Sequence, residues 1–233
     1  MFIVENYSVA VVLCVMTMLC WGSWANTQKL AAATWRFELF YWDYVIGIVL
    51  LSLLLGLTVG SMGDRGRAFI PDIEQGSSEN IGSAILGGVI FNAANILLVA
   101  SIAVAGMAVA FPVGIGLALV IGVVVNFVYA PVGNVYLLFG GAALVVLAII
   151  LNAVAYRRLM SGAAKVSAKG LVLAVIAGCL MGLFYKYVAA SMFPDFHSPL
   201  PGKLSPYSAG FFFSLGILGS NFLFNSLLIR YPV

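Results

Sequence analysis

Cys20-Trp21-Gly22-Ser23-Trp24-Ala25-Asn26-Thr27-Gln28-Lys29 closes an apolar run that begins near Tyr7. A run of about 20 apolar residues is what an α-helix needs to cross the hydrocarbon core of a bilayer. This one continues into a polar motif instead of a cleavage site, and its only early charge is Glu5, so it reads as a resident span and not a secretory leader. On a helix, Thr17, Trp21, Trp24 and Gln28 share one face, which is aromatic and polar while the opposite face is aliphatic. Such a helix turns one side to lipid and the other to a cavity or to neighbouring helices. Two readings stay open. The tryptophans mark the membrane interface and the amides bond adjacent helices, or the group lines a polar cavity.

The rest of the chain repeats the pattern. Of its 233 residues 63% are hydrophobic and 8% charged, and the mean hydropathy is +1.12. Soluble domains carry roughly 25% charged residues, so a water-soluble fold is excluded. Only helices and closed barrels satisfy every backbone group in lipid. The apolar runs are continuous and do not alternate with period two, which selects helices. The expectation is an all-α polytopic membrane protein with seven spans, near residues 7–33, 39–62, 81–105, 107–129, 134–156, 169–192 and 205–229.

The longest polar connection, 63–80, holds Asp64, Arg65, Arg67, Asp72, Glu74 and Glu79. Lysine and arginine set the orientation of such chains. The side with the N-terminus carries Arg65, Arg67 and Lys203, and the other carries Lys29, Arg36, Arg157, Arg158, Lys165, Lys169 and Arg230. Three against seven predicts the N-terminus outside and the second side in the cytoplasm. Cys14, Cys20 and Cys179 fall within spans at no metal-binding spacing and read as small packing residues. The single histidine, His197, lies in a loop. No catalytic residue, metal or cofactor is expected. The basic residues sit at span ends, so nucleic acid is not an expected partner.

Setting Gly182 on Gly22 aligns Val172 with Val12, Met181 with Trp21 and Lys186 with Asn26. Five spans precede this echo, so a second copy enters the membrane inverted, a common plan of secondary transporters. The expected organisation is a first five-helix repeat, 1–160, and the first two helices of an inverted second repeat, 161–233. Three further helices would complete ten.

Polar side chains inside spans are costly and turn inward. Asn92 and Asn95 lie three apart in the third span, below Gly87-Gly88, and bind either a polar solute or a neighbouring helix. Asn126, Asn221 and Asn225 pose the same choice. The fourth span opens with Ala110-Phe111-Pro112-Val113-Gly114-Ile115-Gly116. Pro112 lacks a backbone donor and glycines tolerate unusual dihedrals, so a helix break here would free carbonyls toward a wet cavity. Alternatively the glycines admit a close neighbour, the role expected of Gly178 and Gly182. Asp43 stands with Glu38, Tyr41 and Tyr44 near the start of the second span, as a proton acceptor or as solvated charge. Lys186 either snorkels to the surface or occupies the cavity.

Trp21-Gly22-Ser23-Trp24, Phe40-Tyr41-Trp42-Asp43-Tyr44 and the stretch from Ala110 to Leu119 together resemble the ureide permease family of the drug/metabolite transporter superfamily, near the glucose/ribose porters. The resemblance implies ten helices in two inverted repeats and proton-coupled uptake of allantoin, uracil and related oxo-heterocycles. Plant members carry a long central cytosolic loop with a nucleotide-binding-like motif. Here that loop, 157–168, is short and has no Gly-Lys-Ser/Thr ending, which looks like a bacterial homologue in an inner membrane. The expected function is a secondary permease of a ureide, a nucleobase-like heterocycle or another amide compound. Sugar uptake or a non-transporting scaffold subunit are the alternatives. Trp21 and Trp24 would stack on the solute, Asn26, Asn92 and Asn95 would hydrogen-bond it, Lys186 would steer it and Asp43 would carry the proton. The lipid bilayer, a small polar solute and a second copy in a homodimer are the expected partners.

Overall fold

The computed structural model describes residues 1–31, 34–159 and 167–230. The expected end of the first span at Ala33, Lys165 of the charge count and the closing Tyr231-Pro232-Val233 lie outside the described residues, as do the side chains of Gln28, Lys29 and Arg157. The described residues form eight helices: α1 (Tyr7–Ala31), α2 (Phe37–Leu57), α3 (Phe69–Gln75), α4 (Ser78–Ala105), α5 (Met107–Tyr129), α6 (Val135–Leu159), α7 (Ala168–Ser191) and α8 (Pro206–Arg230). All but α3 are long and apolar enough to cross a membrane. The protein is an all-α polytopic membrane protein.

Local chemistry sets the helix starts. Asn6 accepts from the backbone N–H of Ser8 and Val9 at the start of α1, and Asn134 from Tyr136 and Leu137 at the start of α6. Ser77 and Ser167 cap α4 and α7. Gly106 takes φ +80 and reverses the chain between α4 and α5 with no intervening loop. α5 then runs unbroken through Pro112, so the expected helix break at Pro112, Gly114 and Gly116 does not occur. Pro112 is the sixth residue of the helix, where its missing N–H forgoes the bond to the Ala108 carbonyl while the helix continues on either side. The glycines serve packing: a Cβ on Gly114 would stand 2.8 Å from Leu98, and one on Gly116 would strike Ile149.

α4 is the centre of the bundle. α7 and α8 pack against it, α5 joins α7, α6 joins α5, α2 joins α8, and α1 stands outermost beside α2. The α4–α7 pair is antiparallel, held by Ser83 Oγ donating to Tyr187 O and Ser101 Oγ to Gly170 O, each 2.7 Å. The α4–α8 crossing is close because Gly88 has no side chain: a Cβ there would collide with the Phe213 carbonyl. Gly178 and Gly182 likewise admit α5 onto α7, with Gly114 O 2.6 Å from a Cβ at 178. Cys14 and Cys20 are exposed on α1, contrary to their reading as packing residues, because α1 has few neighbours to pack against.

The connection read as polar loop contains α3 and forms a cap over one end of the bundle. Asp72 is fully buried, pairs with Arg67 at 3.0 Å and accepts from Ser205 N at 2.7 Å. Gln75 donates to Lys203 O and accepts from Gly202 N, and Asn80 donates to Gly202 O. The α2–α4 connection is thereby fastened to the α7–α8 loop. The N-terminal ammonium joins the same end through Arg65 O.

Candidate functional site

Asn92 and Asn95 lie at the middle of α4 and are fully buried. The Tyr41 hydroxyl, brought in by α2, donates to Asn92 Oδ1 at 2.7 Å and accepts from Asn95 Nδ2 at 3.2 Å. Asn92 Nδ2 also donates to Ile217 O and to Ser220 Oγ of α8, at 3.2 and 2.9 Å. Three helices therefore meet in one polar layer inside an apolar bundle. On α8 the layer continues through Asn221 and Asn225, both fully buried. Asn225 Nδ2 donates to Glu38 O at 2.8 Å. Neither polar atom of Asn221 has a partner among the described residues, nor does Asn225 Oδ1. A buried amide left unpaired is destabilising by roughly 1–3 kcal/mol, so Asn221 has no structural reason to be there in this arrangement.

Aromatic contacts join this layer to α1. Trp24 stacks on Tyr44 with ring centroids 5.5 Å apart, and Tyr44 lies 5.6 Å from Tyr41. Two residues on, Asn26 points elsewhere, because two helical steps turn a side chain by about 200°. With Gly22 it borders a groove of about 420 Å³ lined also by Met107, Ala108, Phe111 and Pro112 of α5 and Asn152 of α6. Among the described residues Asn26 Nδ2 reaches only its own helix, Gly22 O at 3.5 Å.

The remaining expected site residues do not join this group. Trp21 is exposed, 41% by area, on the outer face of α1. Asp43 is exposed on the stripe of α2 formed with Leu39, Ile46, Leu50 and Leu54, opposite the side that buries Tyr41 and Val45. Lys186 lies between α5 and α7 with its Nζ 4.0 Å from the centroid of the Tyr129 ring. No group of three or more metal-ligating side chains occurs among the described residues.

Two curated relatives align with the chain. Ureide permease 1 of Arabidopsis thaliana is 22% identical over 67% of the chain, and the matched stretch spans 41% of that protein's own length. Ureide permease 3 of the same plant is 20% identical over the whole chain and 76% of its own length. No protein-family model and no solved structure matches.

Sequence reasoning placed Asn92 and Asn95 among candidates but missed Tyr41 as their common partner and Ser220 as the second. The signal was available: two adjacent buried carboxamides need donors and acceptors, and Tyr41 is a hydroxyl near a span start. Which helix supplies the partner depends on packing between segments far apart in the chain, which periodicity does not report.

Proposed function

We propose that this chain is a secondary permease for a small polar solute, moved by alternating access. The observation that carries the reading is Asn221, a carboxamide buried within a membrane-crossing helix, with a donor and an acceptor both unused, next in the chain to Ser220, which bonds Asn92 of the amide layer. A solute that offers an acceptor and a donor side by side, as an amide edge does, complements it. Ureides and nucleobase-like heterocycles carry such an edge, and the names of the two plant relatives point the same way. In this reading Trp24 and Tyr44 present a flat aromatic face, Asn26 lies on the approach from the α1–α5 groove, and Asn92, Asn95 and Asn221 form the polar layer that the solute engages. Coupling to protons would use Asp43. The inverted-repeat plan, the outside N-terminus, a bacterial inner membrane and a homodimer belong to the same proposal.

Uptake into proteoliposomes tests it. Replacing an unpartnered buried amide by leucine is neutral or stabilising, so Asn221→Leu is expected to keep or raise thermal stability while uptake of a ureide or uracil falls at least about tenfold, a loss of roughly 1.4 kcal/mol of solute interaction. Retained uptake in a stable Asn221→Leu protein overturns the site. A second reading, a scaffold subunit without transport, is favoured by the complete bonding of Asn92 within the bundle. It predicts no uptake of any polar solute by the unmodified chain, sugars included.

A further inference from the structure

Lys186 sits on the flank of the bundle, away from the amide layer, and the surface around it has features the permease reading does not use. A groove of about 700 Å³ runs between α5 and α7, with Leu119, Gly122, Asn126 and Tyr129 on one side and Tyr185 and Lys186 on the other. Lys186 carries the only formal charge among its lining residues. No carboxylate among the described residues pairs with it. Its Nζ is held over the Tyr129 ring, and the Tyr187 ring lies 5.6 Å away. The lysine is five residues before the end of α7, about 8 Å along the axis. Tyr129, Tyr136 and Tyr185 are exposed at this same end of the bundle, and rings of this kind settle at the headgroup level of a bilayer. Val128 and Val132, also exposed, extend the apolar wall beside the groove.

An apolar trough, a cation at headgroup depth that no carboxylate among the described residues neutralises, and tyrosines that hold that cation in place make a site for an amphiphile bearing a negative charge. We propose that the α5–α7 groove binds an anionic phospholipid, with an acyl chain along Leu119 and Gly122 and the headgroup at Lys186. Charge complementarity selects this occupant: a zwitterionic lipid fills the trough equally well but leaves the ammonium without net compensation. Asn126, on the α5 wall of the groove, donates from Nδ2 to Gly122 O of its own helix at 2.8 Å.

The test is native mass spectrometry of the purified, delipidated full chain, titrated with phosphatidylglycerol and with phosphatidylcholine of identical acyl chains. One lysine near the surface contributes about 1 kcal/mol toward an anionic lipid, so the expected preference is about fivefold. Lys186→Gln is expected to bring the ratio to about one, Lys186→Arg to keep it. Gly122→Leu, whose Cβ makes only ordinary contact with Gly182 O at 3.8 Å and Asn126 Nδ2 at 4.0 Å and whose side chain then fills the trough, is expected to weaken both lipids alike. Glycerol 3-phosphate serves as the soluble control and is expected not to compete. A preference that survives Lys186→Gln, an unmodified chain with no preference, or equal competition by the soluble phosphate overturns the proposal.

Discussion

α1 and α4 are similar in length and both apolar enough to span a membrane, yet 61% of the spanning window of α4 is buried inside the molecule and none of that of α1. The difference decides what the same residue type does. Asn92 of α4 meets a tyrosine hydroxyl, a backbone carbonyl and a serine, and it joins three helices. Asn26 of α1 has only the carbonyl of its own preceding turn and borders an open groove. A carboxamide on these helices bonds across the bundle where another helix stands opposite and turns back on its own helix where none does.

The largest effect is expected at the cap that fastens the α4 side together. Asp72 is buried and its partner Arg67 is one-fifth exposed. Removing one member of a buried pair typically costs about 3–5 kcal/mol. Asp72→Ala also strips Ser205 N of its acceptor. The expected outcome is a loss of at least about 3 kcal/mol in thermal unfolding followed by tryptophan fluorescence. No comparable single change exists on α1, where the Glu5–Arg65 pair beside it is more than half exposed and such pairs contribute about 0–1 kcal/mol.

Next comes a paired glycine comparison. Gly88→Ala places a methyl against the Phe213 carbonyl, so α4 and α8 must separate, at a cost of about 1–3 kcal/mol. Gly22→Ala meets nothing within 4 Å and gains helix propensity, by up to about 1 kcal/mol. Opposite signs in melting temperature support the contrast. Equal effects would mean that α1 is as tightly packed as α4.

How far this was readable from the chain follows the same line. Hydropathy runs report only whether a segment prefers lipid, and they located all seven spans. The 107–129 span coincides with α5, whereas the second ends at Leu57 instead of near 62, because the chain turns at Thr58 to lay Phe69 against Gly56. α3 was hidden inside a charged connection, although Phe69 and Ile73 at helical spacing with Pro71 in the first turn mark it. Pro112 was over-read: a proline this near a helix start leaves the helix intact. Asn92, Asn95 and Trp24 stood out as polar or aromatic groups in apolar runs. The division of the candidates into a bonded layer with Asn92 and Asn95, a groove with Asn26 and an exposed stripe with Asp43 depends on which helix stands next to which, and that is fixed by glycine contacts 60 to 130 residues apart, such as Gly114 with Gly178 and Gly88 with Phe213.

A smaller effect is expected from Tyr41→Phe, which keeps the ring and removes the hydroxyl shared by Asn92 and Asn95. Interhelical hydrogen bonds in membrane proteins average about 0.6 kcal/mol and reach about 1.7. The cycle of Tyr41→Phe with Asn92→Leu should therefore show a coupling of about 1 kcal/mol. The same cycle between Trp24→Ala and Asn26→Ala, two residues on different faces of α1, should show none. Coupling in α1 would place its two candidate residues in one network and erase the contrast.

The smallest effect separates two aspartates at the capped end. Asp72 is buried in the cap, while Asp195 is exposed at the rim of the α7–α8 loop. The backbone N–H of His197 donates to Asp195 Oδ1 at 3.0 Å, and this bond, with a further one from Ser198, holds the Asp195 carboxyl below the usual aspartate range. A carboxylate whose pKa is lowered by folding stabilises above its unfolded value, about 3.9, and that contribution disappears as the pH falls through the lowered folded value. The loop rim should therefore hold its geometry at neutral pH and loosen only under acid. The amide signal of His197 is expected to titrate with a midpoint below about 3.9, and Asp195→Asn should abolish that titration while lowering the melting temperature at pH 7 only slightly, since the carboxylate is exposed. A midpoint above that value, or a clear loss of stability in Asp195→Asn at neutral pH, would mean that the rim is as firmly built as the Arg67–Asp72 cap beneath it.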